Sequence, residues 1–407
     1  MKNAFLLIIL GATLTGVTYG QSTQIGQDAA QNVITTAVPF LMIGPDARSG
    51  GMGEVGVATE PDASSMHWNP AKYAFIERDL GFAVSYSPWL RELVNDINLA
   101  YLSGFKRIDN RSTVAASLKY FSLGDITFTD ITGNRIGDYR PNEFSVDGAY
   151  ARKFSERISG AVSARFIYSN LTQGQFVQGQ ATKAGTSIAT DVALYYQRPL
   201  IIRGLNDAEF AFGVNISNIG AKISYSNDDK TKDFIPTNLR FGPAFTMDID
   251  DYNRLSFHLD INKLLVPTPP IYARNDSTGA PIVDPNTGEP IIDKGEDPNV
   301  SVVQGMIQSF YDAPDGISEE LKEFIWVLGA EYWYDQQFAI RAGYFHESPM
   351  KGNRKFFTLG AGLRYNVFGL DFSYLIPTDQ QNPLQNTLRF TLSFNFEAVT
   401  DTDVGEE

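Results

Sequence analysis

Hydrophobic and polar positions alternate with a period of two residues in about fourteen segments between Leu80 and Phe396. The last segment shows the pattern most clearly. Its apolar face holds Leu388, Phe390, Leu392, Phe394 and Phe396, and its polar face holds Thr387, Arg389, Thr391, Ser393 and Asn395. Strands with one face suited to lipid and the other to a polar lumen are typical of a transmembrane β-barrel.

The connections between these segments alternate between long and short. The strands are predicted near residues 80–88, 96–106, 113–121, 142–152, 158–169, 187–197, 208–218, 238–248, 253–262, 324–334, 337–346, 356–366, 369–377 and 386–396. The long connections are 122–141, 170–186, 219–237, 263–323, 347–355 and 378–385. Because outer-membrane barrels keep their short turns in the periplasm, we expect the long connections outside and both termini in the periplasm. The sequence therefore predicts an all-β fold, an antiparallel transmembrane barrel of about fourteen strands.

The regions around the strands complete the predicted organisation. Residues 1–20 predict a secretory signal peptide, with a charged start, an apolar core and a small-residue cleavage site. Residues 21–79 are expected to form a hatch or plug, and 80–396 the barrel, whose 263–323 connection is a long extracellular loop with short helices. Residues 397–407 are an acidic tail that we place in the periplasm. This organisation predicts a multi-pass protein of a bacterial outer membrane.

Composition excludes several functions. The chain has no cysteine, which excludes disulfides and thiolate chemistry, and its net charge of −14 argues against binding of nucleic acid or anionic lipid as the main function. The mean hydropathy is −0.17, and no segment after the N-terminus is apolar enough for a membrane helix. Charged residues at inward positions are interpreted as paired or solvated groups that fill the lumen. They are Asp147, Arg165, Asp191, Arg254, His258, Asp260, Glu331, Arg341 and Arg364.

Residues 39–76 precede the first strand and are too rich in Gly and Pro to form a long strand or helix. Such a segment suits a hatch that folds back into the lumen, since glycine allows close backbone approach. We expect Asp46 and Arg48 to tie this hatch to the barrel wall by charge-assisted hydrogen bonds, with cargo contact as the alternative. The other candidate hatch residues are Gly50, Gly51, His67, Trp68, Asn69 and Pro70.

The hatch carries a resemblance to known proteins. Its glycine-rich stretch Gly50–Gly56, followed by Asp62-Ala63 and Asn69-Pro70-Ala71, resembles the hatch of the FadL family of fourteen-stranded barrels. The fuller string Pro45–Gly53 with His67–Lys72 is similar to the PorV family of the type IX secretion system. The segments 318–324 and 329–334 are similar to that family too, so that the resemblance extends over essentially the whole mature chain.

The resemblance implies a non-enzymatic role in protein secretion. Members of this family associate with an SprA-type translocon and receive secreted cargo through its C-terminal signal domain. They then pass the cargo to the surface attachment complex, which anchors it to lipopolysaccharide in the outer membrane. The alternative is a FadL-type channel for hydrophobic small molecules, which the polar lumen disfavours. The resemblance implies no cofactor.

The long loop is the candidate surface for a partner. Two amphipathic helices are predicted after residue 300, and the expected anchors on the first are Val303, Met306, Ile307, Phe310 and Tyr311. An enzyme is the third hypothesis, but the chain offers only the scattered histidines His67, His258 and His346. Neither a Ser-His pair nor a metal cluster is apparent among them, so the sequence predicts no catalytic and no metal-binding residues.

Overall fold

A computed structural model describes residues 32–90, 96–129, 132–172, 174, 176–177, 180–226, 232–275, 278–379 and 383–397. Within them, fourteen antiparallel strands close into a barrel in chain order, and the last strand pairs with the first. The strands are Leu80–Pro88, Ile97–Arg107, Ser112–Leu123, Asn142–Lys153, Ile158–Asn170, Gly185–Leu200, Asp207–Gly220, Asn238–Asp248, Asn253–Leu264, Ile325–Tyr334, Phe338–His346, Lys355–Tyr365, Phe368–Pro377 and Leu388–Phe396. The predicted barrel is confirmed, and the strand ends lie within a few residues of the predicted ones.

The two faces of the barrel wall differ as the alternation predicts. Large apolar side chains such as Leu80, Val84 and Phe390 are exposed on the outer face, where lipid would cover them. Aromatic rings pack across neighbouring strands on this face, and the ring centroids of Phe82 and Phe394 lie 5.0 Å apart. The inward positions alternate with them and are buried.

Residues 37–76, which we call the lumen segment, are almost entirely buried and contact inward side chains of many strands. Their regular elements are short: 3-10 turns at Pro39–Met42 and Pro70–Phe75, and helices at Ala47–Gly51 and Ser65–Trp68. Glycine and proline limit these elements to one or two turns. Side chains therefore form many of the hydrogen bonds that the buried backbone N–H and C=O groups need.

The chain from Asn32 to Asp79, which includes the lumen segment, runs the length of the barrel and starts at the end of the long loops. Asn32 donates to the Pro269 carbonyl at 3.1 Å and to Glu319 at 3.0 Å, both in the long loop. At the other end, the Asp79 amide donates to the Phe396 carbonyl at 3.1 Å. Asn32 therefore lies at the long-loop end of the barrel, and Asp79 lies at the short-turn end.

The long connections carry local structure. Hairpins pair Ile126–Thr129 with Arg135–Tyr139, Phe176–Val177 with Gln180–Ala181, and Ile271–Tyr272 with Ile292–Lys294. The long loop also contains helices at Val302–Gln308 and Ile317–Glu320 and a 3-10 turn at Leu321–Glu323. No helix in the described ranges is both long and apolar enough to span a membrane. The predicted signal peptide, residues 21–31 of the predicted hatch and the predicted tail beyond Glu397 lie outside the described residues.

Candidate functional site

Arg48 joins the lumen segment to the barrel wall. Its Nε and Nη2 atoms donate to the two carboxylate oxygens of Glu331 at 3.0 and 2.7 Å, and both side chains are buried. Nη1 donates to Asp62 at 3.0 Å within the segment. Glu331 also accepts from Arg341 Nε on the next strand at 2.6 Å. This bidentate bond fixes the guanidinium plane against one strand, so Arg48 holds the segment at a single register.

Asp46 has a different role from the one expected. Its carboxylate accepts from the Ser49 amide at 2.8 Å as an N-cap and from Trp68 Nε1 at 2.5 Å. Both donors belong to the lumen segment, so Asp46 closes the segment on itself. The adjacent wall contact comes instead from the Ala47 amide, which donates to Thr391 Oγ1 at 2.8 Å.

Gly50 and Gly51 let the backbone of the segment touch the wall. A Cβ at Gly51 would lie 2.9 Å from the Cα of Gly360. A Cβ at Gly50 would lie 2.5 Å from Arg389 Nη1. Both distances are shorter than a side chain tolerates, which explains why the predicted glycine run is needed at this point of contact.

The predicted residues 67–70 form a second set of contacts with the barrel wall. The His67 Nδ1 atom lies 3.1 Å from Lys119 Nζ, and the guanidinium of Arg240 lies 4.4 Å from the Trp68 ring centroid. Asn69 Nδ2 donates to the Val57 carbonyl at 2.8 Å and to the Leu194 carbonyl at 3.0 Å. Pro70 begins the 3-10 turn that follows. These side chains therefore fasten the segment to three strands.

Two further residues of this network were not among the sequence candidates. Asp260 accepts from the Gly56 and Val57 amides at 2.8 and 3.0 Å. Lys72 is fully buried and donates to the Gly56 carbonyl at 2.8 Å and to Thr59 Oγ1 at 2.9 Å. A charged residue at an inward position was the available signal for Asp260. Lys72 gave no comparable signal, since only the three-dimensional packing shows that its ammonium is buried.

The three histidines lie apart and in different environments. His67 is next to Lys119, His258 is buried in the wall, and His346 lies 3.3 Å from the Tyr344 hydroxyl through its Nδ1 atom. Across the described ranges, no group of three or more His, Asp or Glu residues is arranged to hold a metal ion.

The helices of the long loop expose their apolar side chains. Val303 is 65% exposed, Ile307 62% and Tyr311 61%, whereas Met306 is only half-buried. Phe310, Ile317 and Leu321 are exposed as well. We call Val303, Ile307, Phe310, Tyr311, Ile317 and Leu321 the loop patch. Four of the five predicted anchors therefore lie on an open surface, and Met306 lies at its edge.

The opposite side of these helices is polar and buried. Lys263 Nζ lies 3.1 Å from Glu320 and 2.5 Å from Glu323. Lys351 Nζ lies 2.5 Å from Glu319 and 3.0 Å from Glu323. The two lysines come from the end of a strand and from the 347–355 connection, so they clamp the loop onto the barrel rim. The loop helices are thus inverted relative to an ordinary amphipathic helix, which buries its apolar face.

Asp312 completes this clamp, which we call the loop base. One of its carboxylate oxygens accepts from the Thr268 amide at 3.0 Å, and the other has no hydrogen-bond partner among the described residues. Burial raises the pKa of the Asp312 carboxyl to about 6, and the nearby carboxylates of Glu320 and Glu323 act in the same direction.

The fold and the lumen contacts define the class of protein: an outer-membrane β-barrel whose lumen is occupied by its own N-terminal segment. Similar solved structures include the toluene transporter TodX of Pseudomonas putida, with a TM-score of 0.50, 11% identity and coverage of 91% of this chain and 100% of that chain. For the Ralstonia pickettii toluene transporter TbuX the TM-score is 0.45 and the identity 12%, with coverage of 87% of this chain and 98% of that chain. For a FadL homologue of Pseudomonas aeruginosa the TM-score is 0.41 and the identity 11%, with coverage of 90% of this chain and 100% of that chain. At these identities the likeness establishes the fold alone.

The family follows from the sequence itself. The family model described as "Type IX secretion system protein PorV" matches residues 26–271, more than half of the chain. The chain therefore belongs to the PorV family, which confirms the resemblance carried by the hatch motifs. The match includes the lumen segment and the first nine strands, whereas the loop patch lies beyond it. Comparison with curated proteins gives no significant match.

Proposed function

We propose that this chain is a non-enzymatic component of type IX secretion that binds cargo and translocon on its long-loop side. In this proposal an SprA-type translocon delivers cargo that carries a C-terminal signal domain. The barrel then passes the cargo to the surface attachment complex, beside the lipopolysaccharide of the outer membrane. The observation that carries the proposal is the loop patch, an exposed apolar surface on a rigid buried base.

The loop patch has the properties of an interface core. Exposed contiguous apolar surface on a folded protein usually marks a site for another molecule. Aromatic and flexible apolar side chains contribute most of the binding free energy in such sites, and here Phe310, Tyr311 and Ile307 provide them. Because the loop base is already ordered by buried ion pairs, a partner would not have to order these helices when it binds.

The lumen is a poor route for cargo. Arg48, Asn69 and Asp260 fasten the lumen segment to different strands, and a folded domain has a radius of gyration of about 13 Å even at 100 residues. A fourteen-stranded barrel is narrower than a sixteen-stranded porin, which holds only a modest channel. These contacts favour binding at the loops over passage through the barrel.

The alternative function, a channel for hydrophobic small molecules, would need an apolar path. The cavity at the short-turn end, with a volume of about 530 Å³, is lined by charged side chains that include Glu60, Asp248, Arg254 and Arg364. Such a lining solvates poorly the compounds that a hydrophobic channel would carry.

The domain organisation that goes with our proposal is the one predicted from the sequence: signal peptide 1–20, hatch 21–79, barrel 80–396 with extracellular loop 263–323, and acidic periplasmic tail 397–407.

Deletion of residues 300–317 tests the proposal. The variant should still insert as a heat-resistant barrel but should no longer co-purify with the translocon or with signal-bearing cargo. Deletion of residues 284–289, the turn at the far end of the same loop, is the matched control and should retain both partners. If the 300–317 deletion retains both partners, the loop hypothesis is wrong and the lumen segment becomes the candidate.

A further inference from the structure

Three consecutive short turns are unusually basic. Segments 106–111, 152–157 and 198–203 together hold eight Lys or Arg residues and two acidic residues, in a chain with a net charge of −14. The next short turn along the barrel has the opposite character, with Asp250 and Asp251. Positive charge is therefore concentrated on one side of the short-turn end.

Each of these segments starts with a cation on the outer face of the barrel. Lys106, Arg152 and Arg198 share their strand parity with the exposed side chains of Leu102, Tyr150 and Leu194, respectively. No ion pair joins Lys106 or Arg198 to a carboxylate of the described residues, and the charge of Arg152 lies near enough to the Asp109 carboxyl to lower its pKa. Arg152 also donates through Nη1 to the Tyr150 hydroxyl at 3.3 Å, which keeps its guanidinium along the outer wall.

Corresponding outward positions on the other side of the barrel are aromatic. They are Tyr334, Tyr365 and Phe396, each at the short-turn end of its strand. Aromatic side chains at this level are the ordinary interface girdle of an outer-membrane barrel. On the basic side, Lys106, Arg152 and Arg198 occupy the corresponding outward positions, and the aromatic side chains Tyr150 and Phe154 lie near Arg152 in the chain.

An exposed apolar side chain follows each of these cations. Ile108 is 58% exposed, Phe154 is 66% exposed, and Ile201 is fully exposed. A cation beside an exposed apolar group suits the boundary between lipid headgroups and acyl chains, where the apolar group inserts and the cation remains at the phosphate level.

We propose that Lys106, Arg152 and Arg198, with Ile108, Phe154 and Ile201, form a binding surface for anionic phospholipid in the leaflet on the short-turn side. The three cations lie on alternate strands, so neighbouring cations are about 10 Å apart along the wall, close enough for adjacent headgroups. These side chains point outward from the barrel wall, where they meet lipid. A soluble acidic protein would instead contact the turns from the aqueous phase on the short-turn side. Each basic side chain near a membrane surface adds to the attraction for anionic lipid.

The test compares spin-labelled phosphatidylglycerol with spin-labelled phosphatidylcholine around the full-length protein in phosphatidylcholine bilayers. The electron paramagnetic resonance spectrum gives the fraction of each lipid held at the protein surface. The wild-type protein should select phosphatidylglycerol several-fold, and the selectivity should fall as the salt concentration rises. Inorganic phosphate at millimolar concentration should not reduce it, which separates a lipid surface from a phosphate site.

The triple variant Lys106→Gln, Arg152→Gln, Arg198→Gln should lose most of the selectivity. The triple variant Arg274→Gln, Lys294→Gln, Lys322→Gln is the control, since it removes the same charge from exposed residues at the long-loop end. Heat-modified gel mobility verifies that both variants form barrels. Equal retention of the two lipids by the wild-type protein overturns the proposal, as does unchanged selectivity in the first variant. The salt series on the wild-type protein decides the matter even if that variant does not fold.

Discussion

The lumen segment and the long loop both bury charged side chains, but they place their apolar side chains in opposite ways. In the lumen segment, Phe40, Met66 and Trp68 are buried together with Arg48. In the loop, the carboxylates of Glu319, Glu320 and Glu323 are buried, and apolar side chains such as Ile307 are exposed. Buried ion pairs determine where a segment sits, because a displaced partner leaves an uncompensated charge. The position of the apolar side chains shows what a segment contacts. For the lumen segment this is the barrel, and for the loop we propose another molecule.

The largest expected effect comes from breaking the lumen contact. Substitution Glu331→Ala leaves Arg48 and Arg341 facing each other without the carboxylate between them, and Arg48→Ala leaves Glu331 with Arg341 alone. We therefore expect both changes to destabilise the barrel, and Glu331→Ala to do so more than Arg48→Ala. Removal of one partner from a buried ion pair costs about 3–5 kcal/mol of folding free energy. Thermal unfolding in detergent, followed by heat-modified gel mobility, measures the difference.

The same substitutions test whether Arg48 contacts cargo. An exposed ion pair with similar geometry, Arg140 with Asp125, provides the control, and Arg140→Ala should change stability little. If Arg48→Ala leaves the melting temperature unchanged while cargo binding is lost, the hypothesis that Arg48 has a structural role is wrong.

The next effect concerns the loop patch. Substitution of Ile307 and Phe310 by Ser should leave barrel stability unchanged, because both side chains are exposed. Each should weaken translocon or cargo binding by about 2 kcal/mol, roughly 30-fold, if it is an anchor. Gln304→Ala, an exposed polar residue on the same helix, is the matched control. Affinity measured with purified partners decides the question, and equal binding by all three variants would remove the patch from consideration.

The contrast between the two regions also marks what the sequence could predict. The strands and the inward charges follow from a two-residue period, which the backbone imposes locally. The wall contact of Arg48 was predictable because a charge in a glycine-rich hatch needs a partner. The partners of Asp46 were not, since Trp68 is reached only after the chain turns back on itself. The loop helices were predicted from their apolar periodicity, but the same pattern fits either orientation. Their inversion depends on Lys263 and Lys351, far away in sequence.

The smallest expected effect is a pH dependence of the stability of the loop base. There Asp312 adds a fourth carboxylate to Glu319, Glu320 and Glu323. The pKa of Asp312 in the folded loop, about 6, lies above its ordinary value of 3.8. The folded base therefore prefers the protonated carboxyl, and this stabilisation is complete below about pH 4 and is lost as the pH rises through about 6. Burial raises the pKa of the Glu319 carboxyl, but the hydrogen bond and charge of Lys351 outweigh burial, so the pKa of Glu319 is lowered overall.

Asp312→Asn should remove this pH dependence. Asparagine keeps an acceptor for the Thr268 amide, but it carries no charge next to Glu320 and Glu323. Hydrogen exchange of residues 300–323, corrected for the intrinsic effect of pH, should show a looser base at about pH 8 than at about pH 5 in the wild-type protein. The variant should be equally protected at both values. Exchange that tightens as the pH rises in the wild-type protein would show that another group controls the base, and the role given to Asp312 would then be wrong.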